Sequence, residues 1–358
     1  MLQHLELIGS PLSWVLILLG IGVYVLNKRK TWKSKSVRIS FQPLRYLLAH
    51  TYRRTNNFPQ NPNQPSPPSP KNPNPSSLED AYHTISPLPN FDIDKAEPLK
   101  LRPFKPKFHM TMALESTDLS DLIAMDCTFA HRCSIRKSLL ATQRHDVLAA
   151  NSRAYPAVLE LYHWLVNTYL PTRFPSVYTP TGLDLRNNVT GALLPTRLQP
   201  TKEAVELALQ LLGENVDDEF LFLLPGQKPG DEGRYRLEAF VNCFPSGFNT
   251  RSKLNLLLSE IHTPVPGYAA KLEKSMDRFF ASLPVGKVVK RANWSISTNG
   301  QLFCLAGNHM SAEELAAKER AGEVEEIDLR KTVLRCERQT LHRLPQTRAL
   351  VFAFVSSS

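Results

Sequence analysis

Apolar and polar residues sort into three zones along the chain. Leu7 to Leu26, "LIGSPLSWVLILLGIGVYVL", is a run of twenty uncharged, mostly apolar residues. That is about the length a helix needs to cross a bilayer core of roughly 30 Å. Residues 55–77, "TNNFPQNPNQPSPPSPKNPNPSS", are rich in Pro, Asn and Ser with almost no apolar content. Too little surface can be buried there to offset the entropy of ordering, so a disordered tether is predicted, with the linker running to residue 89. Periodic apolar content returns near residue 90, and a folded domain is predicted over 90–358.

Inside that domain, 116–149 and 155–170 read as helical. Leu159, Tyr162, Leu165, Val166 and Tyr169 recur at 3.6-type spacing, with Pro156 near the start and Pro171 after the end. "TKEAVELALQLLGENVDDEFLFLL" predicts a helix and then a short apolar strand, followed by a Pro/Gly turn at 225–233. "YRLEAFVNCF" and "KRANWSIS" predict strands, and "VLRCERQTL" and "ALVFAF" flank the turn "HRLPQTR" as a hairpin. Asn249 or Thr250 is positioned to cap a helix whose Leu254, Leu257, Leu258 and Ile261 share one face. Helices mixed with antiparallel-type strands predict an α+β fold rather than a parallel βαβ series.

Charge refines the first zone. The net charge is +10, but nine Lys or Arg and no acidic residue fall between Lys28 and Arg54. A basic juxtamembrane segment over 27–54 is therefore expected, and no nucleic-acid-binding surface on the folded domain. Met1–Ser10 has no Lys or Arg, which argues against a cleaved signal peptide. The expectation is a single N-terminal membrane anchor with Trp14 and Tyr24 at the interfaces. All nearby cations follow the span, which orients the domain toward the cytosol. Five scattered cysteines without C-x-x-C spacing argue against a disulfide framework and a structural zinc site, as in a reducing compartment.

From Phe244 onward the residues become specific. "FPSGFNTRSKLNLLLSEIHTPVPGYAAKLEKSMDRFF", "VVKRANWSI" and "LRCERQTLHRLPQTRALVFAF", together with "FKPKFHMTMALE", resemble the alpha-subunit family of haem-dependent oxidative N-demethylases, including its fungal HRQ-type members. The resemblance covers residues 98–355. It implies a PAS-like α+β domain holding haem b through a histidine. It also implies O2-dependent removal of a methyl group from a small amine, with electrons from NADPH through a separate flavin and iron–sulfur reductase. The chain departs from the family at Ala113 and Asn255, where glycine is usual, and at Leu122, where tryptophan is common. It ends at "VFAFVSSS", whereas relatives run on, as a shortened gene product would.

With that resemblance, His262 is the first candidate for the iron. It ends the predicted helix, at the negative end of the dipole, and Thr263-Pro264-Val265-Pro266 is expected to continue as an extended strap that fixes the imidazole. A capping or buried histidine is the other reading of His262. His109 is the alternative ligand; His342 and His309 read as solvated turn and loop residues, and His131, His145 and His163 as surface or packing residues. Alternation in "VLRCERQTL" puts Arg335, Glu337 and Gln339 on one strand face, and Leu334, Cys336 and Arg338 on the other. Glu337 and Arg335 are candidate catalytic residues that orient an ammonium substrate, and a solvated or ion-paired strand face is the plainer reading. Arg291, Trp294 and Arg338 are candidates for contact with haem and its propionates.

No G-x-G-x-x-G and no G-x-x-x-x-G-K-[ST] is present, so binding of NADPH, flavin or nucleotide by this chain is not expected. The leading expectation is a membrane-anchored haem monooxygenase of the endoplasmic reticulum, acting on a small amine or secondary metabolite. A non-catalytic PAS-like haem or ligand sensor is the second. A lumenal glycosyltransferase using Asp92-Ile93-Asp94 is the third, disfavoured because the cations follow the span.

Overall fold

Short-range alternation builds the frame. The computed structural model describes residues 80–100, 111–265, 267–298, 300–306, 317–318, 320–321 and 328–357. The predicted membrane span, the basic segment, the first part of the linker, His109 and His309 lie outside them. Among the described residues no helix is long and apolar enough to cross a membrane.

The strands are β1 (Glu115–Thr117), β2 (Leu148–Ala150), β3 (Tyr178–Thr181), β4 (Asp184–Asn187), β5 (Leu193–Pro195), β6 (Glu219–Pro225), β7 (Tyr235–Val241), β8 (Val288–Ser297), β9 (Val333–Arg343) and β10 (Leu350–Ser357). Seven form one sheet in the order β1-β8-β9-β10-β6-β7-β2, and β3-β4-β5 form a small second one. All the pairings are antiparallel, so the α+β expectation holds. The predicted strands and the β9–β10 hairpin form as expected. So does the helix–strand pair at 202–225, where Thr201 caps the helix by accepting from the Ala204 N–H at 3.2 Å.

Two apolar layers cover the two faces of the large sheet. On one side lie α1 (Phe129–Thr142), α2 (Tyr155–Trp164) and α3 (Lys202–Asn215). They pack with Phe220, Phe222, Val241, Val351 and Ala353. On the other side the chain from Leu254 to Leu283 supplies α4 (Leu258–Ile261), α5 (Tyr268–Lys271) and α6 (Glu273–Ser282). It packs on Leu223, Leu237, Phe240, Val289, Leu341 and Leu350.

The first layer also contains ions. Arg136 is fully buried, paired with Glu219, and donates to the carbonyls of Gly213 at 2.6 Å and Asp218 at 2.7 Å. Arg132 meets Asp217 at 2.5 Å, and both guanidinium groups lie against the Phe244 ring. Removing one partner of such a buried pair leaves an uncompensated charge worth about 3–5 kcal/mol. The pairs therefore bind α1 to the start of β6.

Three expectations about local structure need correction. A 3-10 turn at Asp80–His83 and the core residues Tyr82 and Ile85 lie ahead of residue 90. The stretch 116–149 is not one helix. It holds β1, a 3-10 turn at Leu119–Asp121, α1 and β2. The Asp126 carboxylate takes both the N–H and the hydroxyl of Thr128, a local bond that stops helix before Phe129. The predicted 249–262 helix is also broken, because Asn255 takes a left-handed conformation at φ 70°.

Candidate functional site

The break at Asn255 places His262. Asn255 donates its N–H to the Leu237 carbonyl at 2.8 Å, and Leu237 donates back to Leu256 at 3.1 Å, so the segment docks beside β7. Asn151 holds the Asn255 side chain at 2.5 Å, and Arg236 donates to its carbonyl at 2.6 Å. Glu260 then caps the next turn by accepting the Leu257 N–H at 2.5 Å. One turn of α4 follows, and His262 is its C-cap residue.

The imidazole is fixed from two directions. Its Nδ1 lies 2.7 Å from the Leu258 carbonyl. A carbonyl only accepts, so Nδ1 carries the hydrogen and Nε2 keeps its lone pair. The ring also stacks on Tyr268, with centroids 4.8 Å apart and planes at 13°. Thr263-Pro264-Val265 turns rather than extends. Val265 donates to the His262 carbonyl at 2.9 Å and Tyr268 to the Val265 carbonyl at 3.1 Å, which brings the Tyr268 ring back over the imidazole. Burial lowers the His262 pKa, and the nearby Lys253 and Arg291 charges push the same way against the Leu258 carbonyl. The ring is neutral at neutral pH.

Facing this layer, the sheet presents a polar row. Cross-strand register sets Arg291 opposite Gln339 and Asn293 opposite Glu337, on the strand faces that also carry Val289 and Leu341. Glu337 accepts from Gln339 at 2.8 Å and from Asn293 at 3.3 Å. Arg291 makes no hydrogen bond or ion pair among the described residues, and its Nε is buried without a partner. Phe354 and Phe352 continue the row on β10, opposite Gln339 and Leu341.

The remaining candidates divide by face. Arg335 shares the face of Glu337, but its Nη atoms are committed to the carbonyls of Phe244 at 3.1 Å and of Gln301 and Leu302 at 3.2 Å. It holds two loops together. Arg338 and Trp294 sit on the opposite face. Arg338 pairs with Asp121 at 3.0 Å and donates to Leu122 at 2.9 Å, while Trp294 is 44% exposed. His342 is not a solvated turn residue. It lies in β9, 1% exposed, against the rings of Tyr82 and Trp164 on the helical side. Asp92 of the D-x-D is paired with Lys95 at 2.7 Å.

Pattern reading missed Lys253 and Tyr268. Lys253 Nζ lies 3.4 Å from the centroid of the Phe248 ring, and no carboxylate stands within ion-pair distance among the described residues. Burial lowers its pKa to about 8. The clue in the sequence was the pairing of "GF" with a lysine five residues on, which is too common to stand alone.

A neutral imidazole with no hydrogen bond at Nε2, two cations without an ion-pair partner among the described residues, and an apolar sheet face are the groups an anionic, metal-bearing cofactor would use. The family model for haem-dependent oxidative N-demethylase, alpha subunit-like, matches residues 113–356, and the chain belongs to that family. No curated protein matches the chain. Ala113 and Asn255, the two positions where glycine was expected, have φ values of 51° and 70°, in the left-handed region that glycine occupies without strain.

Proposed function

We propose that this chain holds haem b through His262 and carries out O2-dependent oxidative N-demethylation, or a related oxidation, of a small amine or secondary metabolite. The family supports the haem-dependent demethylase class. The observation that carries the residue assignment is the His262 tautomer, with hydrogen on Nδ1 and the lone pair on Nε2. Metal-ligating histidines are held this way by a carbonyl on the far nitrogen, which fixes the ring and raises its basicity.

Haem, when bound, supplies O2 activation and electron transfer. The chain's own residues bind and orient. His262 offers Nε2 to the iron, and Tyr268 keeps the ring in its plane. Glu337, steadied by Gln339 and Asn293, accepts the N–H of a protonated amine. Leu341 and Phe352 on the same face limit water around that contact. Arg335 keeps loops 244 and 301–302 in place behind Glu337. In the net reaction an N-methyl amine, O2, NADPH and a proton give the demethylated amine, formaldehyde, water and NADP+. The electrons come from a separate NADPH-dependent flavin or iron–sulfur reductase. A single-pass anchor in the endoplasmic reticulum membrane, with the domain facing the cytosol, keeps the chain beside that reductase.

The test is full-length protein loaded with haem, then mixed with a reductase, NADPH and a panel of N-methyl amines. A Soret band and amine-dependent formaldehyde are expected. Absence of the band overturns the cofactor assignment. Haem uptake without formaldehyde for any amine assigns the chain to the sensor class instead.

A further inference from the structure

Lys253 and Arg291 are two cations without an ion-pair partner among the described residues. Lys253 reaches the site from the 3-10 turn Arg251–Lys253. Its ammonium rests on the Phe248 ring and has no carboxylate partner among the described residues. Arg291 reaches it from β8, with Nε buried and unpartnered. Glu337 attracts Arg291 electrostatically, yet its hydrogen bonds go to Asn293 and Gln339. Both charges push the His262 pKa down, and neither is ion-paired with a carboxylate among the described residues.

A protein rarely keeps desolvated cations unpaired, because burying a charge without a partner is costly. Among the described residues, other buried cations are matched by a carboxylate or, as for Arg335 and Arg343, by backbone carbonyls. Arg136 has Glu219, Arg132 has Asp217, and Arg236 has Asp231 at 2.9 Å. Two exceptions beside one free imidazole nitrogen call for a ligand that brings the missing negative charges. A neutral or cationic ligand would leave both unpaired.

We propose that Lys253 and Arg291 form a dianion clamp that receives the two carboxylates at the edge of the porphyrin and so sets the rotation of the ring about the His262–iron bond. The proposal rests on the haem reading above. Lys253 binds as a point charge on an aromatic floor, and Arg291 offers a guanidinium fork to the second carboxylate.

The two readings fail differently in one experiment. Full-length wild type, Lys253→Met, Lys253→Arg and Arg291→Met are titrated with haem and with haem dimethyl ester, whose carboxylates are masked, following the Soret band. Wild type should bind haem on the order of tenfold or more tighter than the ester. Each Met variant should lose about threefold or more of that preference for haem and almost nothing for the ester, since the lost partner is absent there. Lys253→Arg should restore most of the preference, and circular dichroism of the Met variants should match wild type. Equal wild-type affinity for haem and ester overturns the clamp, as does an equal loss for both ligands in the Met variants. Absence of a Soret band with either ligand in wild type overturns the haem reading itself.

Discussion

Two histidines lie on opposite sides of one sheet, His342 buried and His262 half-buried, and they show what separates a candidate ligand from a packing residue. His342 has both ring nitrogens buried without a hydrogen-bond partner and sits among Tyr82 and Trp164. Burial alone drives its pKa down to about 3. His262 is also neutral, but Leu258 takes its Nδ1 hydrogen, Tyr268 holds its plane, and the Lys253 and Arg291 charges act on it. Burial makes an imidazole neutral, whereas a partner on one nitrogen gives the other a direction.

The sharpest way to break this contrast is to exchange the roles. His262→Ala should lose haem binding by about 100-fold or more in a Soret titration, beyond the roughly 10–100-fold lost when only an outer partner of a metal ligand is removed. His342→Phe should leave the band unchanged. A band lost in the second variant and kept in the first would reverse the assignment.

Acid stability comes next in size. Above about pH 6.5 the folded and unfolded forms of His342 are both neutral, so the group adds no pH dependence there. As pH falls below that value the unfolded chain takes up a proton that the native site refuses, down to about pH 3. Stability then drops by about 1.4 kcal/mol per pH unit, or roughly 2–3 kcal/mol between pH 6.5 and 4.5. Urea unfolding of wild type and His342→Phe across that window should show the variant with the shallower slope. The lowered pKa of His262 acts in the same direction in both proteins and cancels in the difference.

Smaller effects test how each ring is held. Tyr268→Leu removes the stack from His262 while keeping apolar bulk, and should weaken haem binding by roughly fivefold, about 1 kcal/mol for an aromatic contact. The smallest effect concerns backbone strain on the same side, where Ala113 stands between Met112 and Leu114 of the site-facing layer. Ala113→Gly should raise stability by about 0.5–1 kcal/mol, because a Cβ is strained at φ 51°. Asn255→Gly should change it by only a few tenths, since asparagine tolerates that region. Thermal denaturation of the three proteins decides the order.

Much of the frame was legible from local pattern. The hairpin at 333–357, the helix–strand pair at 202–225 and the alternation that separates Arg335, Glu337 and Gln339 from Arg338 all follow from nearest-neighbour periodicity. His262 was legible as a candidate, although the helix drawn in front of it was not. Asn255 looks helical by neighbourhood, but its contacts with Leu237, Asn151 and Arg236 come from distant parts of the chain. The same blindness turned His342 from a buried strand residue into a supposed turn residue. Nothing within "TLHRLP" reveals that Tyr82, some 260 residues earlier, covers it; the Tyr82 hydroxyl donates to Arg343 across that gap at 2.7 Å.

By itself, then, the sequence determined the α+β frame, the strand faces and the membership carried by its "FPSGF", "EIHTPVPGY" and "ERQTLHRLP" blocks, because period, turn chemistry and motif spacing are local properties. Tertiary structure alone decided which nitrogen of His262 is free, which arginines are spent on carbonyls, and that the Lys253 and Arg291 charges both act on His262. Hydrogen-bond partners and charge balance belong to pairs of residues far apart in the chain, and only the folded arrangement brings them within reach of one another.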